Sequence, residues 1–155
     1  MEWTVVPRFF GRYEHSLDAK GRIILPARFR ALFATEVYLS QHHERCLALW
    51  TPEEFEKKLA QMEAAQDRSP RDRNVARVWS TGSALVELDR QGRVAIPAYL
   101  REFAGLESAV LIAGTLNRIE LWNPAEWEVR VRPSEAALID PPSPDPQSAV
   151  GLAGE

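Results

Sequence analysis

The chain contains only one cysteine, Cys46, and this excludes an intrachain disulfide. It has no apolar stretch near the ~20 residues that a transmembrane helix needs, and its first residues do not follow the pattern of a secretory signal peptide. We therefore expect a cytoplasmic protein. Because Cys46 lies in the apolar run 46–50, we expect it to be a small core residue.

Motifs of catalysis and metal binding are also missing. The sequence has no Walker loop, no Gly-x-Ser-x-Gly elbow and no His-Glu-x-x-His motif. His42-His43-Glu44 lies close to Cys46, but adjacent residues of a strand point to opposite faces, and no second ligand pair accompanies them. We interpret this segment as a polar loop, and we predict no enzyme, no metal site and no cofactor.

Positive charge is scarce overall but unevenly distributed. The chain has 19 basic and 22 acidic residues, a net charge of −3. Four of the acids and none of the bases lie from Pro133 onward, so residues 1–132 carry a net charge of +1. The window from Arg8 to Arg30 holds six bases and two acids. A basic patch of this kind can attract nucleic acid although the whole chain is acidic.

Both ends of the chain differ from the middle. Residues 133–155 contain five prolines, four acids and no aromatic residue, a composition that buries too little apolar surface to fold. We predict a disordered, acidic, proline-rich tail over 133–155 and a short N-terminal extension over 1–9.

An internal repeat organises the remaining residues. Residues 17–30, LDAKGRIILPARFR, recur at 88–101 as LDRQGRVAIPAYLR. Residues 49–56, LWTPEEFE, recur at 121–128 as LWNPAEWE. Two ordered blocks, with a single residue inserted between them in the second copy, indicate a tandem duplication.

Each repeat has the same local pattern. An Asp-x-x-Gly turn is followed by β-branched residues suited to a strand and by a proline that can begin a short helix. Two more strands and a capped helix follow. We predict β-turn-β-α-β-β-α over residues 10–65 and again over 82–132, joined by a linker with a connecting helix over 66–81.

With these blocks identified, the sequence resembles the MraZ family over about residues 10–130. The resemblance is carried by GRYEHSLDAKGR at 11–22, PARFR at 26–30, and the paired Asp-x-x-Gly-Arg and Leu-Trp motifs. It implies an α+β, β-rich fold, namely a tandem-duplicated AbrB-like swapped-hairpin β-barrel, double-psi-like, with short helices. In such a fold the two repeats form an intrachain pseudo-dimer.

The resemblance also implies a function. It implies a transcriptional regulator, most often a repressor, that binds double-stranded DNA at short direct repeats. These repeats lie upstream of the division and cell-wall gene cluster, and the protein's own promoter is among the sites that carry them. It further implies a ring-shaped homo-oligomer, an octamer being one such ring, that is nucleoid-associated in the cytoplasm and has no membrane partner.

The two turns are the predicted centre of DNA binding. An arginine at the stem of each turn can fork onto guanine or phosphate, and a two-stranded ribbon fits the major groove. We expect both of these guanidinium groups to face outward, unpaired. The predicted DNA-binding residues are Arg22, Lys20, Arg93, Arg28, Arg30 and Arg90, and the predicted structural turn residues are Asp18, Gly21, Asp89 and Gly92.

Several alternatives stay open. Each turn arginine could instead pair with the preceding aspartate in a purely structural hairpin, and Arg30 and Arg101 could cover apolar surface with their stems. Gln91 and Tyr99 replace Lys20 and Arg28 in the second repeat, which favours unequal DNA contact. The alternative for the whole chain is a protein-assembly or partner-binding module that uses the same fold without DNA.

Overall fold

The computed structural model describes residues 8–144, and its elements follow the predicted order in both repeats. No helix in this range is long and apolar enough to cross a membrane. Short 3-10 turns cover His43–Arg45 and Arg132–Ser134. In chain order the strands and helices are β1 (Phe9–Ser16), β2 (Arg22–Ile24), α1 (Ala27–Arg30), β3 (Glu36–Gln41), β4 (Leu47–Trp50), α2 (Pro52–Ala65), α3 (Pro70–Gly82), β5 (Ala84–Glu87), β6 (Arg93–Ala95), α4 (Ala98–Phe103), β7 (Ala109–Leu116), β8 (Ile119–Trp122), α5 (Pro124–Arg130) and α6 (Glu135–Ile139).

Local chemistry explains where the two long helices begin. The Thr51 hydroxyl accepts from the backbone N–H of Glu54 at 3.4 Å, and the Ser69 hydroxyl accepts from that of Asp72 at 3.0 Å. A proline follows each cap, where the missing N–H costs no helical hydrogen bond. Helix α3 therefore occupies the stretch that was predicted to connect the repeats.

Several strands of each repeat pair with strands of the other repeat. A six-stranded antiparallel sheet has the order β1-β7-β8-β4-β3-β5, and β2 pairs with β6 in a separate two-stranded ribbon. The first strand of each repeat thus pairs with the third strand of the other, β1 with β7 and β5 with β3. Within residues 8–144, β1 and β5 are the ends of an open sheet. The pairing establishes a β-rich fold with a mostly antiparallel, open sheet.

Both repeats contribute side chains to one apolar core. Alternate residues of the β2–β6 ribbon are buried, and the helices that follow each ribbon strand add Phe29 and Leu100. Neither repeat, at about 50–60 residues, is large enough to bury such a face alone. The core includes Phe9, Ile23, Leu25, Phe29, Phe33, Val37, Leu39, Val94, Ile96, Leu100, Val110, Ile112, Ile119 and Leu121.

A second apolar cluster fixes the connecting helix. The Phe55 ring of α2 stacks on Tyr38 at 4.3 Å and on Trp79 of α3 at 5.4 Å, measured between ring centroids. Trp50 joins this cluster and Trp122 is also buried, at 2% and 1% exposure. These two tryptophans therefore pack inside the fold and do not present rings for base stacking.

Among the described residues, 125–144 form a separate unit that includes α6. Glu135 lies in the first turn of this helix, and Ala136, Ala137 and Leu138 favour helix, so residues 135–139 depart from the predicted disorder. The end of the predicted tail, 145–155, and residues 1–7 of the predicted extension lie outside the described residues.

A shared core predicts a shared unfolding transition. Phe29→Ala should cost about 3–5 kcal/mol and its repeat counterpart Leu100→Ala about 2–5 kcal/mol, because each leaves a cavity. Urea unfolding followed by tryptophan fluorescence should show one transition that shifts in both variants. Leu85→Ala, at a site 54% exposed, is the control and should change stability by about 0.5 kcal/mol or less. Two separate transitions, each sensitive to only one substitution, would show that the repeats fold independently.

Candidate nucleic-acid interface

The β2–β6 ribbon has one buried face and one exposed face. Ile23 and Val94 lie opposite each other and are fully buried. Since side chains alternate along a strand, Arg22 and Arg93 both lie on the outer face. Arg22 is paired with Ala95, and Arg93 with Ile24, which is 47% exposed. The ribbon therefore holds its two arginines at diagonally opposite positions of one outward surface.

The two Asp-x-x-Gly turns lie at opposite ends of this ribbon. The backbone N–H of Leu25 donates to the Gly92 carbonyl at 2.9 Å, and that of Ile96 donates to the Gly21 carbonyl at 3.0 Å. Gly21 and Leu25 are four positions apart along the strand, so the turns are about 14 Å apart at about 3.4 Å per residue. That span is close to the ~12 Å width of the major groove of DNA.

The two turns have the same internal hydrogen bonds. Asp18 Oδ1 accepts from the backbone N–H groups of Lys20 and Arg22, both at 2.9 Å. Asp89 Oδ1 accepts from those of Gln91 and Arg93, also at 2.9 Å. The glycines that close the turns, Gly21 and Gly92, have φ of +73° and +79°, where a side chain would be strained.

Each turn arginine is bound to its aspartate. Arg22 Nε donates to Asp18 Oδ2 at 2.7 Å, and Arg93 Nε donates to Asp89 Oδ2 at the same distance. The expectation of unpaired guanidinium groups is therefore wrong, and the open alternative of pairing with the preceding aspartate is what the structure has. The physical reason is local, because the turn places the carboxylate directly beside Nε.

This pairing occupies only one side of each guanidinium group. The side chains of Arg22 and Arg93 are 27% and 25% exposed. Within residues 8–144, their terminal Nη atoms make no hydrogen bond. Each arginine is thus oriented by a carboxylate that binds its Nε. Its two Nη groups remain available to donate to another molecule.

The aspartates are held in the ionised state. The backbone N–H of Arg22, and then its guanidinium, keep the pKa of Asp18 below its usual value of 3.8, and Arg93 does the same for Asp89. Because the folded-state pKa is lowered, the turns gain stability from these carboxylates above about pH 4. They lose it as the pH falls through the lowered folded-state value.

Two further arginines cross from one repeat to the turn of the other. Arg30 lies against Gly92 and its Nη1 donates to the Gln91 carbonyl at 3.2 Å. Arg101 lies against Gly21 and its Nε donates to the Ile96 carbonyl at 3.0 Å. Sequence reasoning left Arg101 out of the site, although its repeat match with Arg30 was the signal that could have placed it there.

These contacts collect positive charge at the ribbon ends. Lys20 and Arg90 are exposed, and their side chains make no hydrogen bond in the described part of the chain. Six cations and two carboxylates leave this turn cluster with a net charge of +4, in a chain whose net charge is −3. The cluster consists of Asp18, Lys20, Arg22, Arg30, Asp89, Arg90, Arg93 and Arg101.

Arg28 contacts strand β1 and not the turns. Its guanidinium lies 4.2 Å from the centroid of the Phe10 ring, and its Nη1 donates to the Tyr13 hydroxyl at 3.4 Å. Its repeat counterpart, Tyr99, donates from its hydroxyl to the Gly82 carbonyl at 3.1 Å. The repeats therefore differ here in both charge and contact.

The histidine-rich loop has no metal-binding geometry. No group of three or more His, Cys, Asp or Glu residues between 8 and 144 could hold an ion. Burial lowers the pKa of His42 to about 3, so this imidazole is neutral. Cys46 is buried, as predicted, and donates from Sγ to the His43 carbonyl at 3.5 Å.

The fold and the ribbon define a β-rich protein of two tandem repeats whose turns frame one basic surface. The family model described as "MraZ protein, putative antitoxin-like" matches residues 9–78 and 80–144. The chain belongs to the MraZ family, which confirms the resemblance found in its motifs.

Individual relatives cover most of the chain. A protein of Kocuria rhizophila is 41% identical over 132 residues, 85% of this chain and 92% of its own length. One of Acetivibrio thermocellus is 39% identical over 77% of this chain and 84% of its own length. One of Deinococcus radiodurans is 35% identical over 88% and 94%. All three are named transcriptional regulator MraZ, in agreement with the expectation that the chain is not an enzyme.

The crossed arginines predict a coupling between Arg30 and Gly92. A Cβ at position 92 would meet the Arg30 side chain, whereas a Cβ at Gly105, also at positive φ, would meet only Asn123 Nδ2 at 3.6 Å. Gly92→Ala should therefore be less stable than Gly105→Ala by about 1 kcal/mol, the worth of the displaced Arg30 hydrogen bond. In an Arg30→Ala background this difference should disappear. If urea unfolding gives the same stability difference between Gly92→Ala and Gly105→Ala in both backgrounds, Arg30 does not contact position 92 as the structure has it.

Proposed function

We propose that this protein is a sequence-specific DNA-binding transcriptional regulator whose β2–β6 ribbon enters the major groove. The observation that carries the proposal is the pair of aspartate-held arginines on the outer face of the ribbon. The names of the relatives support the same function. We further propose repression, with direct repeats upstream of a division and cell-wall gene cluster, including the protein's own promoter, as the target.

The exposed ribbon face suits base recognition. The open Nη pairs of Arg22 and Arg93 can fork onto O6 and N7 of guanine, and Ile24 between them offers an apolar contact for a thymine methyl group. Each carboxylate fixes its arginine before binding, so less side-chain entropy is lost when the complex forms.

The turns suit the phosphate backbone. Lys20 and Arg90 are mobile charges at opposite ends of the ribbon, and phosphate contacts of this kind set the register of a protein on DNA. Arg30 and Arg101 add positive potential behind the turns. Arg28, above Phe10, would extend the basic surface along β1.

We propose that the exchanged strands are the swapped-hairpin arrangement and that whole chains assemble into a ring, an octamer being one such ring. One ribbon makes few contacts, so a single chain would bind weakly. Ring neighbours that engage adjacent repeats raise the overall affinity through effective concentration. Rotationally related subunits also explain direct repeats as the target. Such a protein would be nucleoid-associated in the cytoplasm.

The main test is binding to a DNA fragment from upstream of the gene across a salt series. Arg22→Ala and Arg93→Ala should each weaken binding by about tenfold or more, since a bidentate base contact is worth about 1–3 kcal/mol. The effect of Arg22→Ala should be larger, because the first repeat adds Arg28 to the basic surface where the second repeat has Tyr99. Each lost phosphate contact should lower the log-log salt slope by about 0.9.

A matched control distinguishes the loss of a contact at this interface from a general effect of removing positive charge. Arg77→Ala removes an exposed arginine on α3 whose side chain bonds only Asn74 within the described residues. This variant should leave the affinity for DNA unchanged. If the wild type binds DNA and neither ribbon substitution changes its affinity, the ribbon is not the interface. Absence of any salt-dependent DNA binding would favour the protein-assembly alternative.

Asp18→Asn tests whether the carboxylate orients Arg22. The substitution removes a negative charge from the surface, so binding to random DNA should become tighter. It also replaces the acceptor of the Arg22 Nε bond, so the ratio of operator to random affinity should fall. Parallel titrations with the two DNAs measure this ratio. An unchanged ratio would mean that Asp18 contributes charge alone.

A further inference from the structure

An apolar groove lies beside helices α2 and α3, and the proposed DNA contacts do not use it. Its volume is about 630 Å³, and its apolar lining includes Met62, Val75, Val78, Trp79 and Phe103. Val75 and Val78 are 52% and 60% exposed. This volume is typical of sites for small molecules, which span about 300–1,000 Å³.

The charged residues of the groove are all of one sign. Lys58 and Arg71 line it, and no aspartate or glutamate does. Neither cation makes an ion pair within residues 8–144. The nearby carboxylate of Glu54 is taken by Lys57 at 3.2 Å. Two uncompensated cations in an acidic chain make the groove complementary to an anion.

A smaller polar cavity of about 150 Å³ continues from the same side chains. It shares His42 and Lys58 with the groove and adds Trp50, Gln61, Asn117 and Arg118, together with the ion pair of Glu54 and Lys57. Arg118 is already committed to Glu120, with Nη2 2.8 Å from Oε2. Burial, and then the charge of Arg118, lower the pKa of Lys58. Lys58 therefore lies between an apolar and a polar cavity with no partner for its charge.

The groove wall also contains unused hydrogen-bonding groups. Gln41 Oε1 and Trp79 Nε1 are buried and have no hydrogen-bond partner in the described structure. Both residues line the groove. Both atoms are covered by protein, so they mark an unsatisfied stretch of the wall and not a contact that is open to a ligand.

We propose that the α2–α3 groove binds a small amphipathic anion. The apolar body of the ligand packs on Met62, Val75 and Val78, and its anionic head pairs with Lys58 at the entrance to the polar cavity. The site does not depend on the DNA-binding ribbon, so the two proposals can fail separately.

Decanoate, used below the concentration at which it forms micelles, is a suitable probe. Calorimetry and tryptophan fluorescence on the full-length protein should give saturable binding of one decanoate per chain. Decanol and decylammonium should bind about tenfold more weakly or worse, because they lack the charge-assisted hydrogen bond to Lys58.

Three variants locate the site. Lys58→Met should weaken decanoate binding by about tenfold, the effect of one charge-assisted hydrogen bond, and leave decanol binding unchanged. Arg77→Met removes an exposed cation of α3 that lines neither the groove nor the polar cavity, and it should bind decanoate like the wild type. Val78→Glu introduces a carboxylate at an exposed position and should abolish binding of decanoate.

Two results would overturn the proposal. One is equal binding of decanoate, decanol and decylammonium that Lys58→Met does not change, which would show non-specific adsorption of amphiphiles. The other is no binding to the native protein together with a smaller assembly mass for Val78→Glu. That result would assign the groove to contact between copies of the chain.

Discussion

Pairing of strands from one repeat with strands from the other is the constraint on which the structure depends. Ile23 and Val94 are fully buried opposite each other, yet they belong to different copies of the duplicated unit. A strand of either copy alone would expose its apolar face, and a unit of this size cannot offset that cost. The same pairing creates the functional surface, because Arg22 and Arg93 share one face only when β2 lies beside β6.

Duplication also explains the chemistry of that face. Both turns bind their arginine through Nε at 2.7 Å, so the ribbon presents two equally oriented groups related by the internal symmetry. The carboxylates reduce the net positive charge of the ribbon, but they fix the orientation of the two guanidinium groups. In the proposed complex this orientation matters, because contacts to base edges carry the sequence specificity and contacts to phosphates do not. The excess charge needed for attraction comes from Lys20, Arg90 and the crossed arginines.

Local features of this fold could be predicted from the sequence, and pairing between distant segments could not. Caps, Pro-initiated helices and Asp-x-x-Gly turns depend on neighbouring residues, so the element order was predictable in both repeats. The partner of β1 is β7, about a hundred residues away, and no local pattern distinguishes it from other strands. Arg22 shows the same limit within the site. Its motif indicated a functional arginine, but only the distance between Nε and Oδ2 shows that Asp18 holds it.

The connecting helix explains why the molecule is not symmetric throughout. Helix α3 has no counterpart in the duplicated pattern, and Trp79 on it stacks with Phe55 of the first repeat. At its end, the Gly82 carbonyl accepts from Tyr99 of the second repeat, at the position where the first repeat has Arg28. Tyr99 thus contacts the end of the connector, whereas Arg28 contacts β1. The groove takes Val75, Val78 and Trp79 from α3, so part of its wall comes from the segment that duplication did not copy.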